Sequence, residues 1–227
     1  MVLDKIFVGY DKTQKDAYNV AVKTIQNHSD IEIVKLDLKG LPLYNRPLHE
    51  GSTEFSFSRF WVPNLCEYKG YAAFVDCDIL VLDDVNKMMQ YVEPHNAVTC
   101  VQHNYTPKSD VKMDSRKNVS YPRKNWSSVM VFNCAHPLIK HNLTPDKLNN
   151  VSGLYLHRML WAESNSPLAI GSLPLEWNTL SGYYDIDNPK IIHYTDGGPW
   201  YNEYKNCQYA ELWLNEHEKI NISGISR

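Results

Sequence analysis

The chain has 227 residues, 43% hydrophobic and 22% charged, which is typical of a globular protein with a sizeable core. Its formal net charge of −3 gives no electrostatic case for general binding to nucleic acid, which leaves only a local basic patch at Arg116-Lys117 and Arg123-Lys124. No apolar stretch approaches the roughly 20 residues of a membrane span, and Asp4 and Lys5 interrupt any N-terminal signal core. We expect a single domain over residues 1–227, and a cytoplasmic location that suits five scattered cysteines.

The N-terminal residues have the pattern of a strand, a helix and a second strand. Lys5–Gly9 is an apolar strand, a helical apolar face recurs over residues 12–25, and Ile31–Leu36 is the next strand. This βαβ unit favours an α/β fold with a parallel sheet. The turn Gly9-Tyr10-Asp11 follows the first strand, where its tyrosine and aspartate can stack on and hydrogen-bond a nucleobase. The alternative is that Asp11 caps the helix.

A second buried strand, Ala72–Val75, ends in two carboxylates, Asp76 and Asp78. The carboxyl ends of such strands are where α/β sheets bind ligands, and carboxylate oxygens suit Mg²⁺ or Mn²⁺. The sequence therefore predicts a metal site for a diphosphate. The same spacing recurs at Asp185 and Asp187 without a preceding strand, which is typical of a solvated turn.

Other elements complete the alternation of strands and helices. Residues 57–65 predict a helix, and Arg59 lies off its apolar stripe, facing either a ligand or solvent. The basic, polar residues 103–125 form a long loop, of which 108–124 are our candidate acceptor-side segment. The remaining predicted elements are helices at 85–91, 145–165 and from Tyr204, and strands at 97–101, 127–133 and 191–194.

Several polar residues lie in or beside the apolar segments near the C-terminus. Glu176 and Asn178 are candidate catalytic residues. In its apolar setting the Glu176 carboxyl group can have a raised pKa or face a sugar hydroxyl. The alternative is that Glu176 is a paired structural acid. His193 lies at the end of the last strand. It is either a third metal ligand or a hydrogen-bonded structural histidine. Gly197 and Gly198 leave backbone N–H groups open to an oxyanion, or form an ordinary turn.

Four segments together resemble glycosyltransferase family 8 and its bacterial relatives, in the same order along the chain. The first segment resembles an arginine-containing helix followed by an Asp-x-Asp strand, and the second resembles an Asn-Ser-Gly element. The third segment resembles a Trp-Asn element, and the fourth resembles a C-terminal His…Lys-Pro-Trp motif. The matching segments are Phe57–Pro63 with Ala73–Val81, Trp126–Asn133, Leu175–Asn178 and His193–Trp200.

The resemblance implies a GT-A (Rossmann-like) fold, with a mixed, mostly parallel central sheet flanked by helices. It implies transfer of a hexosyl or pentosyl group from a nucleotide-sugar, a UDP-sugar, with retention and with Mn²⁺ (or Mg²⁺). By position, the metal ligands are Asp76, Asp78 and His193. The donor-binding residues implied in the same way are Gly9, Tyr10, Asp11, Arg59, Ser127, Gly197 and Gly198.

The chain also departs from the family pattern. Gly198 stands where the diphosphate-binding lysine falls, so the leaving group is stabilised either by another cation, Lys124 or Arg123, or by backbone groups alone. Lys124 is a candidate catalytic residue. Trp126 and Ser128 replace the asparagine and the glycine of the Asn-Ser-Gly element.

Two other classes of function compete with sugar transfer. Asp-x-Asp also occurs in phosphatases and phosphotransferases, although those place it on the first strand, and the aromatic content of 12% also suits a non-catalytic sugar-binding module. The acceptor can be a glycan, a lipid-linked sugar, a protein or a modified nucleobase, because the fold does not determine it.

Overall fold

The computed structural model describes residues 1–41, 43–47, 51, 53–113, 116–163 and 167–225. The strands are β1 (Lys5–Gly9), β2 (Glu32–Leu36), β3 (Tyr71–Val75), β4 (Ile79–Val81), β5 (Val98–Val101), β6 (Val111–Lys112), β7 (Arg116–Lys117), β8 (Val129–Asn133), β9 (Ile170–Leu173), β10 (Thr179–Leu180) and β11 (Ile191–His193). The α-helices are α1 (Lys15–His28), α2 (Val62–Leu65), α3 (Pro137–Asn142), α4 (Pro145–Asn150), α5 (Gly153–His157) and α6 (Ala210–Ile225).

Six strands form the central sheet in the order β2-β1-β3-β8-β5-β9. Strand β8 runs antiparallel to both of its neighbours, and the other pairs are parallel, so the sheet is mixed and mostly parallel, as predicted. A second sheet has the order β10-β11-β4, and β6 pairs with β7. Because β8 is reversed, its first residues lie at the same edge as the last residues of β1 and β3.

The apolar periodicity of the N-terminal unit is reproduced in the core. Strand β1 has the predicted bounds, and the predicted apolar face of α1 is buried at Ala17, Val20, Ala21 and Ile25. Strand β3 is buried from Ala72 onward between β1 and β8. Within the described ranges, no helix has the length and apolar character that crossing a membrane requires.

The predicted helix over residues 145–165 is wrong. The chain forms α4 and α5 there, followed by a short 3-10 turn at Leu160–Ala162, and residues 164–166 lie outside the described part. The break occurs because Val151 is extended (φ −76°, ψ 157°) and the Ser152 side chain accepts a hydrogen bond from Tyr155 N, which starts a new helix. The predicted start at Thr144 and Pro145 is confirmed, since Thr144 caps α4.

Three other predicted helices also differ from the structure, either in helix type or in the residue at which they begin. Residues Val85–Tyr91 and Ser58–Trp61 are 3-10 helices, with α2 following the latter. The C-terminal helix begins at Ala210 rather than Tyr204, because Tyr209 has a positive φ of 64° and interrupts the helix. Apolar spacing continues across these breaks and therefore does not reveal them.

We predict that Gly9→Ala destabilises the protein, because a Cβ there would lie 2.6 Å from the Phe55 ring. The expected loss in the free energy of unfolding is about 1–3 kcal/mol, the usual cost of overpacking. Urea unfolding measures it. Gly40→Ala is the matched control, since a Cβ at Gly40 meets no atom within 4 Å. Equal effects of the two substitutions would contradict the prediction.

Candidate metal and donor site

The two aspartates of the Asp-x-Asp motif lie where the central sheet passes into the second sheet. Asp76 directly follows β3, and its N–H donates to the carbonyl of Ser128 at 2.9 Å, just before β8. Asp78 directly precedes β4. Both are largely buried, with 9% and 5% of their surface exposed, respectively. The backbone on both sides therefore holds the two carboxylates at the predicted edge of the sheet.

His193 reaches this edge through the second sheet. Strand β11 pairs antiparallel with β4, so that His193 lies opposite Ile79. Its Nε2 is 3.4 Å from Asp78 Oδ1 and 3.9 Å from Asp76 Oδ2. One ligand atom from each of the three residues lies within 4.8 Å of the others. The structure thus brings together the three residues that the sequence predicted as metal ligands.

Asn178 determines which nitrogen of His193 carries the proton. The Asn178 Nδ2 group donates to Ser128 Oγ at 2.8 Å and to the Asn125 carbonyl at 3.4 Å. Its Oδ1 therefore faces His193 Nδ1, at 3.1 Å, and accepts the Nδ1 proton. When the imidazole is neutral, its Nε2 therefore presents a lone pair toward the carboxylates, as a metal-binding histidine requires.

The donor set of Asp76, Asp78 and His193 fits a divalent ion. Two carboxylates and a neutral imidazole suit Mn²⁺, and Mg²⁺ accepts the carboxylate oxygens. A ligand bond to Mg²⁺ is about 2.1 Å long, so two ligands of one ion lie at most about 4.2 Å apart. The separations of 3.4 and 3.9 Å are within this range.

Arg59 connects the carboxylates to the opposite wall of the site. It is 6% exposed, and its Nη1 lies 2.9 Å from Asp76 Oδ1 and donates to the Ser127 carbonyl at 2.8 Å. Its Nε contacts the Phe55 carbonyl at 3.3 Å. Within the described residues, Nη2 has no hydrogen-bond partner. The guanidinium group therefore has donors left for a ligand.

These residues line a cleft of about 830 Å³. Of the predicted site residues, the described lining contains Arg59, Asp76, Asp78, Lys124, Ser127 and His193. It does not contain Gly9, Tyr10, Asp11, Glu176, Asn178, Gly197 or Gly198. The cleft thus extends from the aspartates toward β8 and α5 rather than toward β1.

The turn after β1 has local structural roles. Asp11 caps the Lys12–Gln14 turn and accepts hydrogen bonds from Thr13 N at 2.9 Å and Thr13 Oγ1 at 2.6 Å. Tyr10 packs edge-on against Tyr18, and Lys35 Nζ lies 3.5 Å from its ring centroid. Gly9 makes room for Phe55, whose ring in turn lies beside the Arg59 guanidinium. The helix-capping alternative for Asp11 is therefore present in the structure.

The glycines after β11 form a tight turn. Gly197 has φ +146°, and its N–H donates to the Tyr194 carbonyl at 2.9 Å. A Cβ at Gly198 would lie 2.0 Å from the Trp200 ring. The turn alternative thus accounts for both glycines, and the Gly197 N–H is already used.

The remaining candidates are tied to the surrounding chain. Lys124 donates to the Asn118 side chain and, at 2.7 Å, to the Val119 carbonyl. Arg123 binds Glu163 and the Arg158 carbonyl. Glu176 is half-buried in the 3-10 turn Leu175–Asn178, where its carbonyl accepts from Lys190 N. Lys124 lines the cleft, whereas Glu176 does not.

The cleft lining includes residues that the sequence analysis missed, among them Tyr121, Asn125 and His157. Burial raises the pKa of the Tyr121 phenol. The Arg59 charge lowers this pKa and the Asp76 charge raises it, but the net shift is upward, so the phenol stays protonated. His157 Nδ1 lies 2.8 Å from Ser127 Oγ. Nothing in the local pattern of His157 marks it, because only the packing of α5 brings it to the cleft.

Solved structures with similar folds are glycosyltransferases. The chain superposes on the bifunctional glycosyltransferase WbbM with a TM-score of 0.68 at 15% identity, over 95% of this chain and 50% of that one. The chain superposes on GlyE of Streptococcus pneumoniae TIGR4 with a TM-score of 0.61 at 17% identity, over 96% of this chain and 60% of that one. For the galactosyltransferase LgtC the TM-score is 0.55 at 11% identity, over 95% of each chain. The chain thus spans only half to three fifths of WbbM and GlyE. These likenesses show that the fold is of the GT-A type.

A much closer relative gives the family. Over 229 residues the chain is 44% identical to Protein CDI of Arabidopsis thaliana, covering 96% of this chain and 87% of that protein. The chain therefore belongs to the same family as Protein CDI. No family model matches its sequence.

We predict that Asn178→Ala weakens Mn²⁺ binding about 10–100-fold, as is usual when the partner of a metal-binding histidine is removed. The reason is that His193 loses the acceptor that holds its Nδ1 proton. Isothermal titration with Mn²⁺ measures the affinity, and circular dichroism checks that the protein is folded.

Asn178→Asp keeps this acceptor and should retain more affinity than the alanine variant. The exposed Asn188→Ala serves as the control. Equal Mn²⁺ affinity in Asn178→Ala and wild type would show that Asn178 does not position the imidazole.

Proposed function

We propose that this protein is a metal-dependent glycosyltransferase that moves a sugar from a nucleotide-sugar, a UDP-sugar, to an acceptor hydroxyl. One observation carries the proposal: Asp76, Asp78 and His193 converge at the carboxyl edge of the sheet, in the wall of a large cleft. Ligand binding at this edge is the general rule for open α/β sheets. The GT-A fold, shared with glycosyltransferases, supports the same reaction class.

The residues of the site divide the work of holding a nucleotide diphosphate. Asp76, Asp78 and His193 would hold Mn²⁺ or Mg²⁺, which neutralises the diphosphate as it leaves. Asn178 keeps the imidazole in the binding tautomer. Arg59 holds Asp76 through Nη1 and can donate from Nη2 to a phosphate oxygen.

Arg59 is the cation that we assign to the leaving group in place of the lysine missing at Gly198. Lys124 is bound to Asn118 and Val119, and Arg123 to Glu163 and Arg158. Arg59 lies beside a metal-binding carboxylate and has a nitrogen without a described partner.

The finer assignments rest on the resemblance to family 8. It supports a UDP-sugar as the donor and retention of the anomeric configuration, and its base-binding turn corresponds to Gly9-Tyr10-Asp11. The acceptor classes remain glycan, lipid-linked sugar, protein and modified nucleobase, with residues 108–124 as the acceptor-side segment; residues 114 and 115 lie outside the described part. The single-domain organisation and the cytoplasmic location stay predictions.

We predict that Asp78→Asn lowers the affinity for UDP in the presence of Mn²⁺ by about 100-fold or more, since loss of a ligand exceeds the 10–100-fold cost of losing an outer partner. Titration calorimetry with and without Mn²⁺ measures it, and a screen of UDP-sugars for Mn²⁺-dependent hydrolysis follows turnover.

The chain supplies the matched control, Asp187→Asn, which changes the same residue in the exposed second copy of Asp-x-Asp. The control should behave as wild type. If Asp78→Asn retained full Mn²⁺-dependent UDP binding and sugar transfer, we would abandon the proposed function.

We further predict that Arg59→Gln weakens binding of the Mn²⁺–UDP complex by roughly 10–100-fold, the range for losing a hydrogen bond to a charged group. Arg59→Lys should restore only part of it, because an ammonium lacks the two-nitrogen fork. Binding of Mn²⁺ alone, measured in parallel, separates the two roles of Arg59. A purely structural partner of Asp76 would change both affinities by the same factor.

A further inference from the structure

Cys66 and Cys134 are free thiols that lie far apart in the sequence, yet their side chains are hydrogen-bonded to each other. Cys66 follows α2, and Cys134 follows β8. The turn before β3 brings them together, because Lys69 N donates to the carbonyl of Cys66 at 3.0 Å. At the end of this turn, Cys134 N donates to the carbonyl of Gly70 at 3.0 Å. The turn thus begins at one cysteine and pairs with the other.

This pair of thiols lies at the opposite end of β3 from the candidate metal site. Gly70 directly precedes β3, whereas Asp76 directly follows it. At about 3.3 Å per residue, the strand puts roughly 20 Å between these two residues. The described lining of the cleft includes neither Cys66 nor Cys134. The two thiols are therefore separate from the site to which we assign sugar transfer.

The two thiols differ in their exposure to solvent. Cys66 is half-buried, and its neighbours Glu67 and Lys69 are exposed. Cys134 is fully buried in the core beside it. Cys66 is therefore the thiol that a reagent in solution meets first.

The two thiols also differ in how readily they lose a proton. The hydrogen bond between them lowers the pKa of Cys66 and raises the pKa of Cys134. Burial and the charges of Asp4 and Glu32 raise the pKa of Cys66, and the Lys5 charge lowers it, but the net shift is downward. Cys66 therefore ionises first, with Cys134 as its hydrogen-bond donor. The thiolate is the form of cysteine that attacks a disulfide.

The other three cysteines lack this combination of features. Burial raises the pKa of Cys77, Cys100 and Cys207. Among the groups of the described chain that act on these three pKa values, there is no second thiol. Cys207 is half-buried, as Cys66 is, and therefore serves as the matched reference thiol.

We propose that Cys66 and Cys134 form a thiol–disulfide exchange site, at which a low-molecular-weight disulfide converts the two thiols into an intramolecular disulfide. The Cys66 sulfur attacks one sulfur of the small disulfide, whose S–S bond breaks, and one small thiolate leaves. The Cys134 sulfur then gives up its proton and attacks the Cys66 sulfur, which releases the second small thiolate. Two protein thiols are oxidised, and the small disulfide is reduced to two thiols that take up the two protons.

Mass spectrometry of the folded 227-residue chain tests this proposal, with oxidised glutathione as the probe. After incubation at neutral pH, the unreacted thiols are blocked with iodoacetamide and the peptides are mapped. We expect a Cys66–Cys134 disulfide that dithiothreitol removes. With iodoacetamide alone, Cys66 should react about tenfold faster than Cys207, because a lowered pKa increases the fraction of thiolate.

Two substitutions separate the roles of Cys134. Cys134→Ser keeps a hydrogen-bond donor beside Cys66 but has no sulfur, whereas Cys134→Ala has neither. In both variants the reaction should stop at glutathione bound to Cys66. Cys66 should react with iodoacetamide roughly threefold more slowly in Cys134→Ala than in Cys134→Ser, because its thiolate loses a hydrogen bond.

The wild-type result decides the proposal even if a variant does not fold. The proposal is overturned if folded wild-type protein forms no Cys66–Cys134 disulfide, if this disulfide forms only in urea, or if Cys66 reacts no faster than Cys207. Binding of Mn²⁺ and UDP is a separate measurement, so the proposed function stands or fails independently of these results.

Discussion

The pairing of β11 with β4 fixes the imidazole of His193 beside two carboxylates that lie far away in the chain. The register places His193 opposite Ile79, and the N–H of Tyr194 donates to the carbonyl of Asp78 at 2.9 Å. Both strands are buried and apolar apart from the histidine, so burial of their side chains stabilises the pairing. The pairing of the two strands and the burial of their apolar side chains, rather than the polar contacts of the site itself, thus hold the three side chains together.

The turn before β8 links this arrangement to the cleft wall. The carbonyl of Asn125 accepts from Ser128 and Asn178, and Asn178 holds the proton of His193. Each bond in this chain has one possible direction, because a backbone carbonyl only accepts. Such a buried network favours one arrangement of its members. Positive φ values at Arg123 and Asn125 show that the turn is held in a strained form, as is common at functional sites.

The sequence predicted the sheet class, the first strands and the meeting of Asp76, Asp78 and His193, because each depends on short apolar runs and on the rule that strand ends meet at one edge. It missed the break at Val151, since Ser152 caps a new helix without disturbing the apolar spacing. It treated Asn178 as catalytic, whereas the structure places it behind His193, outside the described cleft lining. Asn125 and His157 could not be found from local patterns, because tertiary packing alone brings them to Asp76.

The Arg59 guanidinium lowers the electrostatic cost of holding two carboxylates side by side. Two like charges about 4 Å apart repel by about 4 kcal/mol at an effective dielectric of about 20. Arg59 Nη1, at 2.9 Å from Asp76 Oδ1, offsets this repulsion. A bound divalent ion would take over that role, because its charge compensates both carboxylates. The guanidinium charge would then be free to act on the diphosphate, so a single arginine would stabilise both the pair of carboxylates and the leaving group.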